Sequence, residues 1–195
     1  MSRKTFDLLL SAAGVMLMVV LVAAGILGLW AHNVTTSQVR QQLGEQKISF
    51  PAAGSPQLAD PKIGPYISKY AGQQVLTGPQ AKAFADHYIL VHLQESKGAT
   101  TYSEASAASR AKPDDAQLKA QVETMFRGTT LRGMLLNAYA FWTIGEVAQV
   151  AAIVSFTLAG VLAVLTVLGF VHYRRVAWDA LFPAAHPRKA APTAG

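Results

Sequence analysis

VAQVAAIVSFTLAGVLAVLTVLGFVHY, residues 147–173, runs for 27 residues without an Asp, Glu, Lys or Arg. A helix needs about 20 apolar residues to cross the hydrocarbon core of a bilayer. The stretch therefore predicts a transmembrane helix over 147–171, with room for tilt. A second run, LLLSAAGVMLMVVLVAAGILGLWA at 8–31, carries no charge across 24 residues and predicts a first span. Only 14% of the chain is charged and 51% is hydrophobic, against about 25% charged in an ordinary soluble domain. The first run has the basic start of a signal peptide, Arg3 and Lys4. Its apolar core exceeds the roughly 7–15 residues of a signal h-region, so an uncleaved anchor is expected, with cleavage as the alternative.

Charge gives the orientation. Arg3, Lys4, Arg174, Arg175, Arg188 and Lys189 lie outside the two runs, against Asp7 and Asp179. Residues 32–146 hold eleven Lys/Arg and nine Asp/Glu, nearly balanced. Lys and Arg collect on the cytoplasmic side of spans. A cytoplasmic N-terminus (1–7), a basic cytoplasmic tail (172–195) and an extracytoplasmic segment (32–146) are expected. The formal +6 is then a topology signal rather than a nucleic-acid footprint. High alanine and zero cysteine point to a bacterial plasma membrane, and no thiolate metal site or disulfide is available. Trp30, Tyr139, Phe141 and Trp142 suit the outer interface, and Phe170, Tyr173 and Trp178 the inner one.

The fold class expected is all-α: two transmembrane helices with a helical extracytoplasmic domain inserted between them. The first span should run on as a helix through Val34, Val39 and Leu43 to about Gly44. Pro51, Pro56, Pro61, Pro65 and Pro79 make 48–79 an irregular connection, with one short turn near Tyr66–Tyr70 closed by Gly72. A core helix follows, capped by Thr77, with Pro79 in its first turn and Gly98 as its stop. Its apolar face holds Phe84, Tyr88 and Val91. Thr101 and Glu104 have capping-box spacing and predict a helix to about Arg110. Asp114 and Asp115 start another, through Leu118, Val122 and Met125, which Gly128 should end. Thr129 or Thr130 should cap the last helix, which continues from Leu131 into the second span without a break.

No zinc-protease, hydrolase, P-loop or dinucleotide-binding motif is present, and no catalytic, cofactor-binding or metal residue is assigned. Glu146 stands out. On a helical wheel Arg132, Tyr139, Thr143 and Glu146 share one polar stripe, a candidate interaction face. His32 or Asn33 is the expected hydrogen-bond partner of Glu146. Subunit contact and proton or ion chemistry are the alternatives for an acid at the membrane edge. Ala151, Ser155, Ala159 and Ala163 form a ridge of small residues in span two, with Ala24 and Gly28 in span one. Such ridges allow close helix packing, here between the two spans or between subunits. His87 and His92 are five apart and do not converge on one metal. His92 reads as a partly buried core histidine, or with Tyr88 as a candidate sensing pair.

Tyr70, Gly72, Val75, Gly78, Ala81, Ala85, Ile89, His92 and Leu93 share a spaced pattern. With TYSEAS at 101–106 and FRGTTLRGMLLNAYAFW at 126–142, it resembles a family of small uncharacterised two-span actinobacterial membrane proteins. Some members carry the name of an aromatic ring-opening dioxygenase subunit. The resemblance covers roughly residues 65–175; it implies the two-span architecture and adds no mechanism. The expectation is an integral plasma-membrane protein with a non-catalytic accessory, scaffolding or regulatory role. Its partners would be the lipid bilayer and a membrane protein or a second copy, with no nucleic acid and no cofactor. A ligand or pH sensor acting through a partner is the alternative, and a membrane enzyme such as a ring-opening dioxygenase the second.

Overall fold

The computed structural model describes residues 3–95 and 101–175. Among these the chain is helical, with one isolated antiparallel bridge, Ser49 to Gln74. The elements are α1 (Arg3–Gln46), α2 (Pro56–Ala59), α3 (Gly64–Ile67) with a 3₁₀ turn after it (Ser68–Tyr70), α4 (Gly78–Phe84), a π-helical turn (Ala85–Ile89), α5 (Leu90–Glu95), α6 (Tyr102–Ala111) and α7 (Ala116–Arg175). Both α1 and α7 are long and apolar enough to cross a membrane, with windows of mean hydropathy 2.6 and 2.5. The expected stop at Gly98 and the basic tail beyond residue 175 lie outside the described residues.

The chain divides into two compact units. In one, the parts of α1 up to Gly28 and of α7 from Val150 pack side by side. The α1 positions that lose exposure are Asp7, Ser11, Gly14, Met18, Leu21, Gly25 and Gly28. Their alternating steps of four and three mark a seam of coiled-coil type. The facing α7 positions include Ala152 at 0% exposure, Ala159 at 4% and Thr166 at 9%. The glycines set the spacing. A Cβ on Gly25 would lie 2.7 Å from the Phe156 ring, and one on Gly14 would lie 2.6 Å from Thr166 Oγ1. Most leucines and valines of this unit face outward: Leu10, Leu27 and Val167 are exposed. At the end of this unit Asp7 Oδ2 sits 3.7 Å from His172 Nε2.

The other unit, Leu29–Gln149, has a conventional apolar core. Leu43, Ile67, Val75, Met125 and Leu135 are fully buried, with Val39, Phe50, Ile63 and Phe84 around them. Here α1 ends at Gln46, and Lys47 takes a left-handed φ of 53° that turns the chain out of the helix. The proline-rich connection folds back on itself. Phe50 N–H donates to Gln73 O at 2.9 Å and Val75 N–H to Ile48 O at 2.8 Å. Gly72, at φ +70°, leads the chain from the 3₁₀ turn into this pairing, its N–H donating to Pro51 O at 2.9 Å, and a side chain there would be strained. The short helices α2 and α3 exceed the single turn expected near Tyr66–Tyr70. Prolines sit in the first turn of α2, α3 and α4, where no helical N–H is lost. Thr77 with Gln80, and Thr101 with Glu104, form complete capping boxes.

One expected boundary is absent. Gly128 does not end a helix, and neither Thr129 nor Thr130 caps one; α7 runs unbroken from Ala116. Asp115 caps it instead, with Oδ1 accepting from Gln117 N–H at 2.9 Å and Leu118 N–H at 3.2 Å. Gly128 serves packing: a Cβ there would meet Leu93 Cδ2 at 2.5 Å. A glycine in a helix marks a stop only when the chain leaves the helix after it, and here close approach of α5 is what selects it.

Candidate functional site

The π-helical turn places Asp86, His87 and Tyr88 between α4 and α5. Wide turns of this kind are rare and concentrate at functional positions. Asp86 is the hub. Arg132 Nη2 donates to its Oδ1 at 2.8 Å and Lys82 Nζ to its Oδ2 at 2.6 Å. Burial pushes the Asp86 carboxyl up, but the bonds from Lys82 and Arg132 outweigh it and hold the group below its ordinary 3.8. Lys82 Nζ also lies 5.3 Å from the centre of the Tyr139 ring, within reach of the ring's negative face. Arg132 Nε is buried without an acceptor.

On the other sides of the same turn, His87 stacks on Tyr66 with ring centres 3.9 Å apart and planes 4° from parallel. His92 Nδ1 donates to Tyr88 O at 2.7 Å, and the two rings approach to 4.4 Å. His92 is exposed, not the partly buried core histidine that its helical position suggested, because the π turn rotates the residues that follow it. Tyr88 and His92 line a groove of about 380 Å³ with Leu93, Thr124, Arg127 and Leu131. The two residues named as a candidate sensing pair thus line one groove.

The Arg132, Tyr139, Thr143, Glu146 stripe splits in two. Its upper members are partly buried and engaged within the unit, Arg132 by Asp86 and Tyr139 by Lys82. Thr143 and Glu146 are exposed, and Thr143 Oγ1 donates only to its own helix, to Tyr139 O at 2.9 Å. His32 does reach across to α7, but its Nδ1 donates to Gly145 O at 2.9 Å rather than to Glu146. Gly145 is the residue that allows this approach, since its Cβ would lie 3.1 Å from Thr36 Cγ2.

Among the small residues, Ala159 is buried, and Gly28, Ser155 and Ala163 are half-buried. Ala24 and Ala151 are exposed. Within this chain the seam passes one residue further on, through Gly25 and Ala152. A strict four-residue ridge drifts around the helix, whereas the observed steps of three and four hold a seam in place. Among the described residues no three His, Cys, Asp or Glu side chains are grouped to hold a metal. Asp86 as the partner of Arg132 is the contact that the sequence hid. Its only signal was Lys82 four residues earlier, which marks a helical ion pair and says nothing of a third member 46 residues away. Compared with family models, curated proteins and solved structures, the chain matches none of them.

Proposed function

We propose that the chain is an integral membrane protein with both termini cytoplasmic, a non-catalytic accessory or scaffolding partner of another membrane protein. It would join the two-span actinobacterial proteins that it resembles. The observation behind this proposal is the lower half of the stripe. Thr143 and Glu146 are exposed, and Val147 next to Glu146 is 63% exposed. An acid set among apolar side chains at a membrane edge is costly in lipid and finds its partner on protein. The upper half of the stripe is anchored by Asp86, which fixes the orientation in which α7 offers Glu146.

The test is extraction in mild detergent and affinity purification of the full chain, with Glu146→Ala beside the wild type. A second membrane protein should co-purify and be lost from the variant. Purification of the chain without any other protein would sink the proposal. A tag at the C-terminus reachable by protease in intact cells would overturn the orientation. The groove at Tyr88 and His92 favours a second reading, a sensor of small ligands or pH. A thermal-shift screen in which neither ligands nor a pH step move the wild type away from His92→Ala would dismiss it.

A further inference from the structure

A second face of α7 has no partner among the described residues. Met134, Phe141 and Ile144 are 57%, 58% and 59% exposed, and Asn137 is exposed between them. Their steps are three, four and three, the spacing of a coiled-coil seam. Gly133 and Ala140 flank it and are exposed too, and a Cβ on Gly133 would meet nothing within 4 Å. From Met134 to Ile144 the face is uncharged. Asn137 and Glu146, nine residues apart, are roughly 180° apart around the helix, so this seam is not the stripe discussed above. Beside it runs a groove of about 350 Å³, walled by Gln38, Gln42 and Gln46 of α1 and by Met134, Asn137 and Phe141 of α7.

We infer that this seam binds a second copy of the same chain, α7 against α7, in parallel and in register. The inference rests on the membrane proposal, because two copies inserted in one bilayer share a direction. A two-fold axis along the bilayer normal then brings each position against itself. A neutral seam is compatible with that, since it places no like charges together. Its one polar member is an asparagine, whose amide both donates and accepts and so satisfies its own counterpart. A single asparagine on an apolar seam is also the device that fixes register and two-strandedness. The small flanking residues let the backbones approach, while the glutamine amides offer hydrogen bonds along the rim. Lipid does not account for the face. Met134 is thirteen residues before Val147, roughly 20 Å along the helix and clear of the expected hydrocarbon.

The chain has no cysteine, so an introduced thiol is unique. In native membranes under mild oxidation, Asn137→Cys should form disulfide-linked dimer about tenfold more than Thr143→Cys, since a disulfide requires close Cα atoms. Asn137→Lys would place like charges on the axis and should turn the dimer to monomer in mild detergent; the position is exposed, so the fold should be retained. Equal dimer from both cysteine variants, or a dimer that persists in Asn137→Lys, overturns the inference. Adducts to a different protein from a photoreactive residue at 137, without homodimer, also overturn it by giving the seam to another chain. Absence from the membrane fraction would sink the membrane proposal itself. Membrane-bound monomer sinks only the dimer.

Discussion

In the unit built from residues up to Gly28 and from Val150, α1 and α7 meet through Ser11, Gly14, Gly25, Ala152 and Ala159, and most of their leucines point outward. In the unit of residues 29–149 the same two helices bury Val39, Leu43, Met125 and Leu135. Where the surroundings are as apolar as leucine, burying a leucine between helices gains nothing. Packing then depends on close backbone approach, which small residues permit. Where the surroundings are water, removing apolar area is worth about 25 cal/mol per Å², and large side chains go inside. The contrast is the one that two solvents acting on one pair of helices would give, in keeping with the membrane proposal.

The strongest way to break this comparison is to truncate a large apolar residue in each unit. Leu135→Ala, at 0% exposure, should cost about 2–5 kcal/mol. Leu27→Ala, at 63% exposure, should stay within about 0.5 kcal/mol. Unfolding of the detergent-solubilised full chain measures both, and equal losses would erase the distinction between the units. Next in size is Gly25→Leu, which should cost about 1–3 kcal/mol by overpacking against Phe156. Adding Phe156→Ala should recover part of that loss; no recovery would mean that the ring is not the obstacle.

Asp86→Asn should cost about 1–3 kcal/mol, because charged hydrogen bonds to Lys82 and Arg132 are weakened. The sign with pH follows from the lowered carboxyl. A group whose folded value lies below its unfolded one stabilises above the unfolded value, and that contribution is lost as pH falls through the folded value. The gap between wild type and variant should therefore be full at neutral pH and close below about 3.8. A gap that stays constant in acid would remove Asp86 from the hub. The smallest effect expected is Thr101→Ala, about 1 kcal/mol from the lost cap of α6. Circular dichroism and thermal unfolding would register it, and an unchanged midpoint would make the cap dispensable.

Local signals were legible in the sequence wherever a short-range rule decides the outcome. The two apolar runs, the caps at Thr77 and Thr101, and the turn at Gly72 are of this kind. Gly128 was misleading because the sequence around it allows both a stop and a close contact, and only Leu93, 35 residues earlier, decides between them. Ala24 and Ala151 shared a plausible four-residue spacing with the true seam, yet faces one residue apart differ by 100°. Asp86 was visible as a carboxylate and invisible as a hub, since its partner is brought in by tertiary packing.

The π turn at Ala85–Ile89 also gives this stretch slack in length. A π turn holds about one residue more than an α turn, so a single-residue deletion there could be absorbed by restoring regular helix. Helix content would survive. The side chains after it would keep their directions, because the residue removed is the extra one, so Leu93 would still meet Gly128 and His92 would keep its groove. The same deletion in a regular turn, as early in α7, has no slack to use and would act as a rotation of about 100° on all that follows.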